Sequence, residues 1–369
     1  MEQSHTESLQ KKPSFFSRVN NIFSGGMRLE DKISFARNLE TMVRAGLPLS
    51  RGLSVLWRQS KNQNIRSVLA SLGDDIAAGK SFHVALGAFP RVFPPLFVAL
   101  IRAGEESGKL SDSLATVAAH LRESYELGKR IRGALLYPAV IVVAMVIIAI
   151  IMLLYVVPVL SATFEELGVD LPMSTRAVIA VSDFLETRTS LALGFFAAFL
   201  LLTAFTAHTV RGRRFFSWAT LRLPLIGPIA KNVNTARTAR TLSSLLSAGV
   251  PLVETLIVTE EVLQNPYYKD ALREAKEKVE KGDQLSEIFT RHEDIYPLLI
   301  AEMTAVGEET GKLGTMLLEI ALFYESEVER ETRDISQVIE PFLMIIIGAA
   351  VGFFALSMIT PMYTLVGSI

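Results

Sequence analysis

Three stretches of the chain are apolar all the way round a helix rather than along one side. Residues 133–164 carry no charged group and include AVIVVAMVIIAIIMLLYVV; residues 189–210 contain only His208; residues 341–369 are again uncharged. A helix needs about 20 apolar residues to cross a hydrocarbon core of about 30 Å, so this pattern predicts transmembrane helices over 135–158, 189–210 and 338–361. Elsewhere the apolar positions recur with helical spacing. Phe35, Leu39, Met42 and Val43 share one face, and Ile65, Val68, Leu69, Leu72 and Ile76 another. Gly46 and Gly79 stand where those helices should stop, and Pro48 cannot extend the first. In the second half Glu274 and Lys278, and Glu277 and Lys281, are four apart, as on a solvated helix face. No alternating strand pattern stands out, so the expected fold is an all-α membrane protein.

Composition agrees with that picture and narrows it. Half of the 369 residues are hydrophobic and the formal net charge is −1, which gives no basic surface for nucleic acid. Cysteine is absent, which rules out disulfides and thiol chemistry and fits bulk in a reducing compartment. The first thirty residues lack an apolar run, so no cleavable signal peptide is expected.

The chain repeats itself. AGLPL at 45–49 returns as AGVPL at 248–252, and 249 − 46 = 203. The same offset takes Gly79 to Gly282, Gly104 to Gly307, Glu105 to Glu308, Gly108 to Gly311, Pro48 to Pro251, Pro138 to Pro341 and Pro158 to Pro361. A unit of soluble helical domain plus span has therefore been duplicated without insertion or deletion. Two copies with one orientation require a single return crossing between them, and residues 189–210 supply it. Lys129, Arg130 and Arg132 precede the first span; Arg211, Arg213 and Arg214 follow the second; Arg330 and Arg333 precede the third. The positive-inside rule then places the domains 29–134 and 211–337 in the cytosol, with 159–188 and the tail 362–369 outside.

The segments GEESGKL (104–110) and GEETGKL (307–313) look at first like phosphate loops. Such a loop needs four residues between its glycines and Ser or Thr after Lys; these have three, followed by Leu. GDDIAAGKS at 73–81 fails on spacing too, and its counterpart GDQ at 282–284 keeps only the glycine. The simpler reading is a corner between helices, with Gly108 or Gly311 left-handed and Glu105 and Glu106 exposed. A divalent cation on these carboxylates is a minor alternative. The five histidines show no metal-ligand spacing, and no cofactor is called for.

These segments are similar to the inner-membrane F-domain platform proteins of type II secretion systems and type IV pili. The resemblance rests on FARNLETMVRAGLPLSRGL, AGEESGKLSDSL, TARTLSSLLSAGVPLVETL and VGEETGKLGTML. YPAVIVV, FEELGVDLPMST and LRLPLIGPIAKNV extend it over residues 29–369. It implies two cytoplasmic six-helix bundle domains, a homo-oligomer in the inner membrane, and no catalysis. The implied partners are a cytoplasmic assembly ATPase, pilin or pseudopilin subunits, other inner-membrane assembly components and the phospholipid bilayer. Val92-Phe93-Pro94 and Ile295-Tyr296-Pro297 depart from a plainer Phe-Pro.

Further features wait on the structure. Gly348 and Gly352 form GxxxG in the third span, suited to a helix contact between copies or within the chain. Pro138 and Pro341 should head their spans, and Pro158 and Pro361 should close them. Residues 11–23 place Phe15, Phe16, Val19, Ile22 and Phe23 on one face, either a membrane or partner contact or part of a disordered tail. An oligomeric transporter or channel is the alternative function, weakened by the lack of polar groups deep in the spans.

Overall fold

The computed structural model describes residues 27–166 and 172–366, so the stripe at 11–23 lies outside the described residues. Among those described, regular structure is entirely helical. In the first repeat the helices are α1 (Leu29–Arg44), α2 (Leu49–Gln59), α3 (Gln63–Ala77), α4 (Phe82–Gly87), α5 (Pro95–Glu106) and α6 (Leu110–Ile151). A π turn at Met152–Val156 leads into α7 (Val157–Glu166). Then come α8 (Met173–Thr187), α9 (Thr189–His208) and α10 (Val210–Arg222). The second repeat is α11 (Gly227–Ser247), α12 (Leu252–Val262), α13 (Pro266–Val279), α14 (Leu285–Arg291), α15 (Leu298–Thr310) and α16 (Leu313–Val366).

The chain divides into two compact units. One holds the residues up to Glu126 with Thr235–Gln264 and Tyr268–Leu322; the other holds Leu127–Asn234, Asn265–Tyr267 and the residues from Phe323. The first unit contains the helical cores of both repeats. Phe35, Leu39, Leu53, Val68, Leu69, Leu72, Phe82, Phe93, Phe97 and Leu114 are buried in one cluster, so both predicted apolar stripes face the core. Phe93 lies 5.5 Å from Phe35 and 5.1 Å from Phe97, ring to ring. In the second repeat Tyr296 takes the place of Phe93 and meets Tyr268 and Phe289 edge-on, each at 4.8 Å. The Tyr268 hydroxyl donates to the Ile295 carbonyl at 2.6 Å, as a buried phenol must find an acceptor. Of the two four-residue spacings expected on α13, the one between Glu274 and Lys278 is not used as an ion pair. Glu274 binds Arg291 and His292, at 2.6 and 3.0 Å, and Lys278 turns to Asp283. Arg291 and His292 bring two donors to one carboxylate, more than one flexible lysine offers.

In the second unit α6 and α16 are long and largely exposed where they are apolar. They are the two helices, among the described residues, long and apolar enough to cross a membrane. The second apolar block forms α9, Thr189–His208. The prolines correct one expectation. Pro138 lies inside α6, and Pro341 and Pro361 lie inside α16, so they do not bound these helices. One proline removes one N–H, a loss that a long helix survives when its neighbouring bonds hold. Pro158 is the second residue of α7, one residue past the π turn, so the helix runs on beyond it to Glu166. Leu127, Val233 and Val328 form a small core where α6, α11 and α16 meet. Arg130 pairs with Glu329 at 2.5 Å, and Tyr137 bonds its repeat counterpart Glu340 at 3.4 Å.

Candidate functional site

The repeated glycines fall into two kinds. Gly46, Gly79, Gly108, Gly249, Gly282 and Gly311 all have φ between 68° and 94°, in the left-handed region. Each ends a helix with paired bonds: the N–H of Gly46 bonds Val43 O at 2.9 Å and that of Leu47 bonds Met42 O at 3.0 Å, and Gly249 and Val250 repeat the pattern. Gly104 and Gly307 are different, being sites of close approach. A Cβ on Gly104 would lie 2.4 Å from Ser113 Cβ, and one on Gly307 would lie 2.9 Å from Leu313 Cα. Within GEESGKL, then, the first glycine lets two helices touch and the second turns the chain between them.

The first glutamate of each motif is not a free corner carboxylate, as its sequence position suggested. Glu105 accepts from the N–H groups of Phe82 and His83, at 2.7 and 3.1 Å, and its Oε2 lies 2.6 Å from His83 Nδ1. Glu308 accepts from the N–H groups of Leu285 and Ser286 at 2.6 and 3.2 Å, and from Ser286 Oγ at 2.6 Å. Each carboxylate thus caps the start of α4 or α14 from the end of the helix that follows it. The cap residues Ser81 and Gln284 make no such side-chain bond themselves. A helix start exposes unpaired N–H groups and a positive dipole end, and a carboxylate satisfies both. Burial alone would raise the Glu105 carboxyl; the N–H bonds from His83 and Phe82 and the His83 ring outweigh it and hold the group below the usual carboxylate range. Glu106 and Glu309 are exposed. Among the described residues no group of three or more His, Asp or Glu could hold a metal ion.

The two repeats also share an interface inside the first unit. α12 packs on α5, and Leu245, Val250 and Val258 join the buried cluster of the first repeat. Arg102 forms an ion pair with Glu254, and His120 Nδ1 lies 3.2 Å from Ser244 Oγ. Burial and the Arg240 charge push His120 down to about 4, so the ring is neutral. Among the described residues, Gly348 and Gly352 have no neighbour within 4 Å of where a Cβ would stand.

The arrangement defines a class before it defines a family: a duplicated helical unit in which each copy leads into a long apolar helix. The pattern described as "Type II secretion system (T2SS), protein F" matches residues 35–158 and again 238–361, beginning and ending at the 203-residue offset of the repeat. Type IV pilus assembly protein PilC of Thermus thermophilus is 36% identical over 344 residues, which are 93% of this chain and 84% of that protein. PilC of Myxococcus xanthus is 32% identical over 94% of this chain and 82% of its own length. Type II secretion system protein F of Aeromonas hydrophila is 32% identical over 93% of this chain and 88% of its own. The chain belongs to the type II secretion system protein F family.

Proposed function

We propose that this protein is the inner-membrane platform of a filament-building machine, a type IV pilus or a type II secretion system. On this reading each repeat is a six-helix bundle in the cytosol, and residues 135–158, 189–210 and 338–361 cross the membrane. The chain takes the motion of a cytoplasmic assembly ATPase and uses it to lift pilin or pseudopilin subunits out of the bilayer. It does so without catalysis of its own. The observation that carries the reading is the double family match over both repeats and both long apolar helices. Further support comes from the exposed apolar side chains of α6 and α16, such as Ile148, Ile151, Phe342 and Leu356. An apolar surface of that extent is costly in water, at about 25 cal/mol per Å². α10 adds exposed Phe215, Phe216 and Trp218 beside Arg211, Arg213 and Arg214, the composition of a helix at a membrane edge.

Two experiments test this. Reporter fusions after residues 130, 175, 220 and 335 should read cytosolic, external, cytosolic and cytosolic; any other pattern overturns the topology. Deleting the gene in its host should abolish filament assembly or secretion, with full restoration by the intact chain. Normal assembly without the chain would remove the platform role.

A further inference from the structure

α6 and α16 run without a break from charged into apolar sequence. The join between α9 and α10 is built differently. The chain turns at Thr209, whose backbone is extended and whose hydroxyl accepts from the Gly212 N–H at 3.1 Å. Gly212 belongs to the corner. A Cβ there would lie 1.9 Å from Thr206 O, so glycine is what lets the first turn of α10 come this close to the last turn of α9.

The corner sets down a helix on which little else of the chain packs. Among the described residues, none of the 13 in α10 is buried. Phe215 is 62% exposed and Trp218 43%. A helix of this length is marginal in water by itself, and exposed rings add to the cost there. Apolar exposure carries on past its end through Leu223, Leu225 and Ile226. This surface calls for a partner outside the chain.

Its chemistry says which. Arg211, Phe215, Trp218 and Arg222 stand at i, i+4, i+7 and i+11, one stripe of a helix. The two rings stack at 6.1 Å, and the Arg222 guanidinium sits 5.1 Å over the Trp218 ring. Two guanidiniums set about 16 Å apart along the axis thus bracket an aromatic pair. Arg213 and Arg214 add positive charge, and residues 187–253 contain no Asp or Glu. Aromatic rings favour the level of lipid headgroups, and a guanidinium grips a phosphate with two parallel bonds. An acidic protein surface would match the charge alone. The bilayer matches charge, rings and position together, because α10 begins two residues after the last residue of the 20-residue apolar α9.

We propose that α10 lies in the plane of the headgroups and binds anionic phospholipid, with Arg211 and Arg222 on phosphates and Phe215 and Trp218 at the acyl boundary. The inference rests on the crossing of residues 189–210 in the platform reading, and adds which lipid gathers where that crossing ends.

Trp57 and Trp218 are the two tryptophans of the chain, so Trp57→Phe leaves Trp218 as a single reporter. The full chain with this change is reconstituted in vesicles of phosphatidylcholine and phosphatidylglycerol, with bromine near the carbonyl end of the acyl chains of either lipid in turn. Both should quench Trp218. At equal mole fraction brominated phosphatidylglycerol should quench more, to an extent equivalent to about fivefold local enrichment. Arg211→Gln together with Arg222→Gln should make the two lipids equal and leave quenching by phosphatidylcholine in place, which reports a helix still in the membrane. A second chain, with Trp57→Phe, Trp218→Phe and Phe199→Trp, reports on the middle of α9. Quenching in that chain with no lipid preference at Trp218 overturns the proposal and leaves the crossing standing. So does a preference that survives both arginine changes. Quenching of Trp218 by iodide and by neither lipid also overturns it, and assigns α10 to water or to a protein partner. An unquenched Phe199→Trp chain overturns the crossing and the proposal together.

Discussion

Tyr296 and Thr238 share a hydrogen bond of 3.3 Å at the two positions where the first repeat sets Phe93 against Phe35. One copy of the unit fills this site with two rings, and the other with a ring, a hydroxyl and a bond between hydroxyls. The same change made in opposite directions should therefore cost different amounts. Tyr296→Phe removes one net hydrogen bond and should lower unfolding free energy by about 1 kcal/mol. Phe93→Tyr buries a hydroxyl beside Phe35, which cannot bond it, and should cost about 1–3 kcal/mol. Denaturant unfolding of the full chain in detergent would show the order; an equal cost would contradict it.

The carboxylate caps give a second prediction. Glu105→Gln and Glu308→Gln keep size and lose charge, and each should destabilise its repeat by about 1 kcal/mol. The Glu105 carboxyl is held below its ordinary value in the fold. Its contribution is therefore complete above the unfolded pKa of about 4.3 and is lost as pH falls through the lower folded value. Melting temperature followed from pH 6 to pH 3 should drop less for Glu105→Gln than for the parent chain.

Glycines of the two kinds should respond differently to alanine. At Gly46, with φ of 81° and open space around it, the cost is backbone strain of about 1 kcal/mol. At Gly104 the added Cβ meets Ser113 at 2.4 Å, and the overpacking should cost about 1–3 kcal/mol. Adding Ser113→Gly should recover part of the loss at Gly104 and none at Gly46.

His120 makes the contact between repeats sensitive to acid. Its value falls from 6.5 to about 4 through burial first and Arg240 second. A histidine with a lowered folded value favours folding above its unfolded value and loses that advantage as pH falls from 6.5 towards 4, by up to about 3 kcal/mol. His120→Asn should flatten the fall in stability over that range; an unchanged pH profile would show that the ring does not report the contact.

Much of this was legible in the residues, and the limits have physical causes. The 203-residue offset, the apolar stripes on α1 and α3 and the long apolar runs are periodic signals, which survive without knowledge of tertiary contacts. The role of Glu105 was not visible, because its partners at Phe82 and His83 are brought to it only when α4 and α5 pack. The prolines misled for a related reason: local rules place Pro138 at a helix start, whereas a long helix absorbs one missing bond. Glu274 shows the same override, leaving its neighbour at i+4 for Arg291 and His292. The face between repeats was the least legible, since nothing in two similar sequences says which of two equivalent surfaces is used.

The unbroken course of α6 from Leu110 to Ile151 carries a mechanical consequence. Forty-two residues at about 1.5 Å each make a rod of about 60 Å, with no hinge loop where its charged part gives way to its apolar part. From Leu127 onward the hydrogen-bonded ladder of the helix resists twist and tilt except at Pro138, whose missing N–H leaves one bond unmade. Past Pro138 the next looser place is the π turn at Met152–Val156, so the apolar part of this helix has two set points at which it can yield and a stiff stretch between them.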